Sequence, residues 1–545
     1  MRRKLIVALI AAALLITVLA VSLAQQAPKP ECQTVMVPMR DGVRLAAAVY
    51  LPPGVSGPVG AVLTRTPYGK GGFTGDAAAV NRAGYAFVAQ DMRGRYASEG
   101  EDTLFLTDAG GELQDGYDTI EWIAAQDWCN GNVGTRGGSA MGITQYMALC
   151  SAPPHLRCAH VSVAAPSIYH YAGYYGGVFR QAMVTGWLTG HRFRPENLQL
   201  VLDNPSYNDM WRIVDLSNYA DRVTVPVIHR GGWFDCFGGG TVYAYRLLQE
   251  HGGDGARGNQ FLIMGPTTHG RSNVEALAFP NEDKPPFTAE ADFYHWNLRG
   301  ADVDTNALPR VYYYVMGAVG EDGAPGNVWR TAADWPPAYN ATRLYLGADG
   351  TAATTVPAQG ALSYEYDPRN PVPTVGGANL LLARGSMDQR RAEERSDVLI
   401  FNTPVLAGPV EITGPLSAVL YVSSDCPDTD FTVKLTDVYP DGRSMLIADG
   451  IRRARYRNSF ETPEFMEPGE VCRVEVDVWN TSIILNAGHR LRVAVSSSNA
   501  PRFSANPNTG GPDDSGDQKR VANNTIHLGG EHASHVLLPV VEGDL

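Results

Sequence analysis

The sequence lacks most features of a membrane-embedded or nucleic-acid-binding protein. After residue 24 it contains no apolar run long enough to span a bilayer, and after residue 4 it contains no dense cluster of Lys and Arg. Its 44 basic and 57 acidic residues give a formal charge of −13. A phosphate backbone attracts clustered basic side chains, so we expect no nucleic-acid partner.

Cysteine is scarce, and the seven residues present are odd in number. At least one thiol therefore has no intramolecular partner, which excludes a small disulfide scaffold. Cys150 and Cys158 are near enough in sequence for one local bridge, although sequence alone does not give the required Cβ geometry. The 12 histidines include no H-E-x-x-H motif and no Cys/His set at zinc spacing, so we expect no metal and no cofactor.

The N-terminus has the pattern of an export signal. Basic residues precede an apolar run from Leu5 to Ala24, and Ser22-Leu23-Ala24 forms a small-x-small cleavage pattern. We expect residues 1–24 to be a signal peptide, with the remainder periplasmic or extracellular. The run is also long enough to serve as an uncleaved anchor, in which case the protein would be held at a membrane.

From Val35 to about Gly270, β-rich runs alternate with helical stretches, which predicts a mostly parallel sheet covered by helices. Leu113, Tyr117, Ile120 and Ala124 recur at helical spacing and predict a helix over 109–126. The segment 167–222 is rich in aromatic residues and lacks a clear strand, so we expect a helical cap inserted between core strands.

After about Trp329 the sequence changes to short alternating runs separated by Pro, Gly and Asp turns, which is typical of a β-sandwich with one buried face per sheet. We therefore expect an α/β core in two parts with a separate all-β domain behind it. The predicted ranges are 31–166 and 223–325 for the core, 167–222 for the cap and 326–545 for the all-β domain.

Ser139 follows a predicted strand and precedes a helix-compatible stretch, with Gly137, Gly138 and Gly142 around it. A sharp strand-to-helix turn needs small neighbours because the serine backbone is strained and its Oγ must project above the sheet. The pattern is G-x-S-x-x-G, since Met141 occupies the position of the usual second glycine. We interpret Ser139 as a candidate nucleophile; the alternative is an ordinary helix cap.

An acid and a histidine follow Ser139 in the loops after two later strands. Asp235 ends the stretch Gly231-Gly232-Trp233-Phe234-Asp235, and His269 ends Gly265-Pro266-Thr267-Thr268-His269. The order Ser, Asp, His is the one found in α/β-hydrolases. Together the three residues predict acyl transfer through Ser139, with His269 as general base and Asp235 orienting it.

Short motifs recur along the chain beyond those around Ser139, Asp235 and His269. The full set is Arg65-Thr66-Pro67-Tyr68, Asp91-Met92-Arg93-Gly94, Ser98-Glu99-Gly100, Gly137-Gly138-Ser139, Gly232-Trp233-Phe234-Asp235, Gly265-Pro266-x-x-His269, Asp388-Gln389-Arg390 and Pro427-Asp428-Thr429-Asp430-Phe431. Together these motifs resemble the cocaine esterase and X-Pro dipeptidyl-peptidase family of α/β-hydrolases, from about residue 33 to the end. The resemblance implies an α/β-hydrolase core, a helical cap and a C-terminal jelly-roll domain.

The resemblance also implies an oxyanion hole made by the Tyr68 hydroxyl and the backbone N–H of Ala140. Each donor would stabilise a tetrahedral intermediate by a few kcal/mol. Family members commonly carry a bulky aromatic residue where this chain has Ala140. We therefore expect a wider acyl pocket here.

The family contains esterases, α-amino-acid ester hydrolases and proline-specific dipeptidases, so the resemblance implies a small ester or a short peptide as the substrate. The last two must bind a substrate ammonium, which requires carboxylates at the pocket. Residues 167–180 contain no Asp or Glu but several aromatics, which favours a carboxylesterase acting on neutral or aromatic acyl groups; Asp209 and Asp215 are acids that could fold inward. Transfer to an acceptor other than water and a non-catalytic surface- or carbohydrate-binding protein remain alternatives. The sequence predicts no oligomeric state.

Overall fold

The structure is a computed structural model that describes residues 32–287, 290–302, 304, 307–513 and 518–545. The predicted signal segment, Leu5 to Ala24, lies outside the described residues. In the part of the chain that is described, no helix combines the length and apolar character needed to cross a bilayer.

A ten-stranded sheet with flanking helices forms the first part of the molecule. Its elements and those of the cap, in chain order, are β1 (Cys32–Pro38), β2 (Arg44–Tyr50), β3 (Val59–Thr66), α1 (Thr74–Arg82), β4 (Ala86–Asp91), α2 (Asp115–Ala124), β5 (Cys129–Gly138), α3 (Ala140–Cys150), β6 (Leu156–Ser162), β7 (Tyr174–Tyr175), β8 (Val178–Phe179), α4 (Gln181–Gly190), α5 (Pro195–Leu202), α6 (Asp209–Ile213), β9 (Val227–Phe234), α7 (Gly238–His251), β10 (Phe261–Thr268), α8 (Glu290–Arg299), β11 (Val311–Val315) and β12 (Val328–Ala332).

The strand order in this sheet is β1-β2-β4-β3-β5-β6-β9-β10-β11-β12. Neighbours from β4 to β11 are parallel, whereas β1, β2 and β12 pair antiparallel at the two ends. Parallel strands end at one edge of a sheet, so the loops after β3, β5, β9 and β10 meet there. The predicted α/β core is confirmed, and its helices cover both faces.

The helix predicted over 109–126 begins six residues later, at Asp115. The preceding residues form turns instead, and there Asp108 makes a buried ion pair with Arg65. Periodicity alone did not show this tertiary contact.

The possible Cys150–Cys158 bridge is not formed. Both thiols are free and buried. Cys150 packs with the helices on one face of the sheet, whereas Cys158 packs in the cluster on the other face. The sheet itself separates the two sulfur atoms.

The cap between β6 and β9 contains the helices α4, α5 and α6, as the sequence suggested. The cap also contains a short element that the sequence did not predict, since β7 and β8 pair as an antiparallel hairpin around Gly176 and Gly177. Both glycines have positive φ, and a Cβ at Gly176 would lie 1.8 Å from the Ile451 carbonyl oxygen. The hairpin therefore packs tightly on the second half of the chain.

The second half is an antiparallel β-sandwich, which confirms the predicted all-β domain; β12, although it lies beyond residue 326, still belongs to the ten-stranded sheet. The remaining strands form a seven-stranded and a four-stranded sheet. The elements are β13 (Asn340–Leu346), β14 (Ala352–Ala353), β15 (Gly360–Tyr366), α9 (Arg390–Glu393), β16 (Leu399–Asn402), β17 (Val410–Ser424), β18 (Asp430–Val438), β19 (Ser444–Arg453), β20 (Cys472–Leu485), β21 (Arg490–Ser496), β22 (Ala522–Leu528) and β23 (His535–Glu542).

The Pro-Asp-Thr-Asp-Phe motif lies in a buried polar network inside this sandwich. Arg453 donates to both carboxylate oxygens of Asp430, at 2.9 and 3.1 Å. Asp428 accepts from the Arg455 backbone N–H at 2.9 Å, and Asn506 donates to both aspartates at 2.8 Å. The motif therefore contributes to the packing of the sandwich.

Candidate active site

Ser139 lies at the turn between β5 and α3, with φ 58° and ψ −131°. This left-handed conformation is costly for a residue with a side chain. The turn is tight because a Cβ at Gly142 would lie 2.6 Å from the Ala164 Cβ and 2.9 Å from the Ser162 carbonyl oxygen. Gly142 thus meets the need for a small residue, although Met141 occupies the usual glycine position.

The loops after β9 and β10 bring an acid and a base to Ser139. His269 Nε2 lies 2.9 Å from Ser139 Oγ, and His269 Nδ1 lies 2.8 Å from Asp235 Oδ2. The other oxygen of Asp235 accepts the Phe237 backbone N–H at 2.7 Å. The carboxylate is fully buried and its direction is fixed, so it holds the imidazole in one orientation.

The surroundings of His269 favour its protonated form. Burial lowers the pKa of His269, but the Cys236 sulfur and the Asp235 carboxylate outweigh burial and raise the pKa above its ordinary 6.5. A histidine of raised pKa accepts a proton more readily once it is neutral, which suits a general base.

The acid loop is also tied to the cap. Arg180 is buried and donates to the Cys236 carbonyl oxygen at 2.8 Å and to the Tyr171 carbonyl oxygen. Burial lowers the pKa of Arg180 to about 10. The guanidinium fixes the loop that carries Asp235.

The two expected oxyanion donors also lie beside Ser139. Tyr68 follows β3, which is the sheet neighbour of β5. Burial raises the pKa of the Tyr68 hydroxyl, and hydrogen bonding with Trp187 and Ser139 lowers this pKa in part. Tyr68 is fixed by its backbone N–H, which donates to Thr66 Oγ at 3.0 Å. Ala140 is the first residue of α3, where backbone N–H groups have no acceptor within the helix.

An apolar cavity opens on Ser139 and measures about 560 Å³ including its mouth. Within the described ranges no Asp, Glu, Lys or Arg lines it. Asp209 is exposed and paired with Arg212, and Asp215 is buried among hydroxyl partners, so neither acid faces the cavity. The lining residues are Leu104, Phe105, Ser139, Ala140, Ile143, Ile168, Ala172, Gly173, Met183, Val184, Trp187, Leu188, Val201, Phe237 and Leu380.

Among the described residues, one group could offer a metal three ligands. The ligand atoms of Asp235, Cys236 and His269 lie within 4.8 Å of one another. A metal there would have to break the bond between His269 and Asp235, and both Asp235 and Cys236 are fully buried. We assign no metal to this group.

Comparison with known proteins identifies the family. The sequence model of the X-Pro dipeptidyl-peptidase (S15) family matches residues 41–200 and 191–271, and that of the X-Pro dipeptidyl-peptidase C-terminal non-catalytic domain matches residues 304–537. Cocaine esterase from Rhodococcus sp. (strain MB1 Bresler) is 35% identical, and the match covers 93% of this chain and 98% of that protein. The chain belongs to the cocaine esterase and X-Pro dipeptidyl-peptidase family. It is a serine hydrolase acting on ester or peptide bonds.

Two solved structures are similar to this chain over nearly its whole length. An aminopeptidase from a marine sediment Thaumarchaeota archaeon has a TM-score of 0.80 and is 25% identical, covering 94% of this S15 hydrolase and 97% of that chain. An α-amino acid ester hydrolase has a TM-score of 0.80 and is 26% identical, with the same coverage.

Among the residues at the site that sequence reasoning missed, three reach it from the cap or from the C-terminal half of this S15 hydrolase. Trp187 of the cap donates its indole N–H to the Tyr68 hydroxyl at 2.9 Å. Leu380 lines the cavity, and Arg384 donates to the His269 carbonyl oxygen. Leu380 and Arg384 come from the C-terminal half, and no local motif marks any of the three.

Proposed function

We propose that this protein is a carboxylesterase for neutral aliphatic or aromatic acyl groups. The observation that carries the proposal is the apolar cavity, which opens on Ser139 and has no charged side chain among its described lining residues. A neutral acyl chain gains free energy by leaving water for such a cavity, whereas a substrate ammonium would lose its hydration without a carboxylate in return.

Ser139 acts as the nucleophile in this proposal. Its hydroxyl attacks the ester carbonyl carbon while His269 Nε2, 2.9 Å away, takes the proton, and Asp235 stabilises the imidazolium that forms. The Tyr68 hydroxyl and the Ala140 backbone N–H donate to the oxyanion. His269 then protonates the leaving alcohol, and water repeats the sequence on the acyl-enzyme.

A pair of substrates that differ in one charge tests this proposal. We expect kcat/KM for the p-nitrophenyl ester of phenylacetic acid to exceed that for the p-nitrophenyl ester of phenylglycine by about 100-fold, since the second carries an ammonium beside the acyl carbon. The Ser139→Ala variant corrects for spontaneous hydrolysis of both esters.

Equal or faster turnover of the phenylglycine ester would instead support the second candidate, an α-amino-acid ester hydrolase or X-Pro dipeptidyl-peptidase. That candidate draws on the aminopeptidase and the α-amino acid ester hydrolase of similar fold. Cleavage of an aminoacyl-prolyl anilide would distinguish the peptidase from the ester hydrolase. Absence of Ser139-dependent turnover of every substrate would favour a binding protein.

We further propose export of the chain through its N-terminal segment, on the basis of the basic start and the apolar run from Leu5 to Ala24. Cell fractionation of the full chain tests this: recovery outside the cytoplasm is expected. Mass spectrometry of the recovered N-terminus separates a cleaved signal from an anchor.

A further inference from the structure

Trp187 contacts both the acyl cavity and the proposed oxyanion donor. The residue lies on α4 in the cap, and its indole Nε1–H donates to the Tyr68 hydroxyl at 2.9 Å. The same indole ring lines the cavity. One side chain is therefore shared by the part of the site that receives the acyl group and the part that faces Ser139.

The indole of Trp187 is held by its neighbours. It stacks on Phe105 with ring centroids 6.3 Å apart and planes 9° apart, and it packs against Phe193 at 4.5 Å. The Tyr68 ring in turn packs on His191 at 4.7 Å. Packing on several sides fixes the direction of the indole N–H, which is a requirement for a preorganised hydrogen bond.

The direction of this bond determines where the Tyr68 proton goes. An indole nitrogen can only donate, so the Tyr68 oxygen must accept from Trp187. The Tyr68 hydrogen cannot point back along the same line and is left to face another acceptor. Besides Trp187, Ser139 is the side chain whose hydrogen bonding lowers the pKa of Tyr68, and the oxyanion would form beside Ser139.

We propose that Trp187 is a positioning residue that aims the Tyr68 hydroxyl at the oxyanion. The inference rests on the proposed role of Tyr68. Because a hydroxyl that already accepts one bond is also a better donor, Trp187 strengthens the bond to the transition state as well as orienting it. Trp187 thus contributes both to the wall of the acyl cavity and to the oxyanion hole.

A double-mutant cycle tests the inference, with variants Trp187→Phe, Tyr68→Phe and the double variant assayed on a p-nitrophenyl ester. Trp187→Phe keeps an aromatic ring but removes the donor. We expect it to lower kcat by about tenfold with KM changed less than about twofold, and to weaken a trifluoromethyl ketone inhibitor by the same factor. In the Tyr68→Phe background the same change should cost less than about twofold.

Two further variants test whether a folding defect, or the removal of any indole from the cap, could explain a lower kcat. Replacing Trp187 by benzothienylalanine exchanges the N–H for sulfur at nearly constant shape, so it serves if the phenylalanine variant folds poorly. Trp211→Phe is the matched control in the same cap: it removes a buried indole that donates to the Asn204 carbonyl oxygen, and it is expected to leave kcat unchanged.

The outcomes separate the inference from the function beneath it. If Trp187→Phe lowers kcat equally in both backgrounds, or in neither, Trp187 does not position Tyr68. A low kcat of Tyr68→Phe would in that case still support the role of Tyr68 in the oxyanion hole. Full activity in Tyr68→Phe would overturn the role of Tyr68 and the inference with it.

Discussion

Two of the buried polar clusters among the described residues, one in each half of the molecule, come from motifs of the same family. In the α/β half, Ser139, His269 and Asp235 form a chain that ends at an open cavity. In the sandwich, Arg453 and Asp430 are buried, and every nitrogen of the Arg453 guanidinium is bonded to Asp430 or Asp513. A cluster that ends at open space can receive a substrate, whereas one whose groups are all paired contributes to the structure.

The largest expected effect tests the first cluster. Ser139→Ala removes the nucleophile but keeps the backbone, so we expect kcat on p-nitrophenyl esters to fall by about 10⁴-fold or more with little change in thermal stability. Steady-state kinetics and a melting curve measure the two effects. A variant that lost activity only because it unfolded would break the comparison.

The reverse result is expected for the second cluster. Arg453→Met leaves Asp430 buried without its cation, so we expect the free energy of unfolding to fall by about 3–5 kcal/mol. Urea unfolding measures the loss, and kcat per folded molecule should stay within about twofold. Arg443→Met, which breaks the exposed pair with Asp441, is the matched control and should change little.

A smaller effect concerns the pH dependence of the first cluster. His269 must be neutral to accept the proton, and its pKa is raised, so kcat/KM should fall as the pH drops through a value above 6.5. Cys236→Ala removes one group that raises the pKa of His269, so the fall of kcat/KM on the acidic side of the pH profile (the acidic limb) should move to lower pH. The ratio of kcat/KM at pH 6 to its plateau value should then rise about threefold.

The matched control for this pH shift is Cys158→Ala, on the opposite face of the sheet. It should leave the acidic limb in place. A limb that moved equally in both variants would assign the shift to altered packing and not to the Cys236 sulfur.

The smallest effect concerns the width of the cavity. Ala140→Phe places a ring where Ala140 now lines the wall, so we expect kcat/KM for p-nitrophenyl benzoate to fall about tenfold and that for the acetate less than about twofold. Competition between the two esters measures the ratio. An unchanged ratio would mean that the acyl group does not enter beside Ala140.

The sequence predicted the site residues that lie directly after core strands. Ser139, Asp235 and His269 could be found because each follows a β-rich run, and strands that lie parallel end at one edge. Trp187 and Arg384 could not be found this way, because their contacts join segments more than 100 residues apart. The β7–β8 hairpin was missed for a similar reason: two-residue strands give no periodicity, and packing on Ile451 forms the turn.

The contacts of Leu380 with the cavity and of Arg384 with His269 limit how the two halves of the chain can be exchanged between genes during evolution. Genes that exchange whole domains usually recombine at the boundaries between them, and each domain keeps its own working parts. Here a foreign sandwich joined to this α/β half would bring its own loop to the cavity and to the His269 carbonyl. A functional chimera would need the segment 376–387 to be inherited together with the half of the chain that carries Ser139.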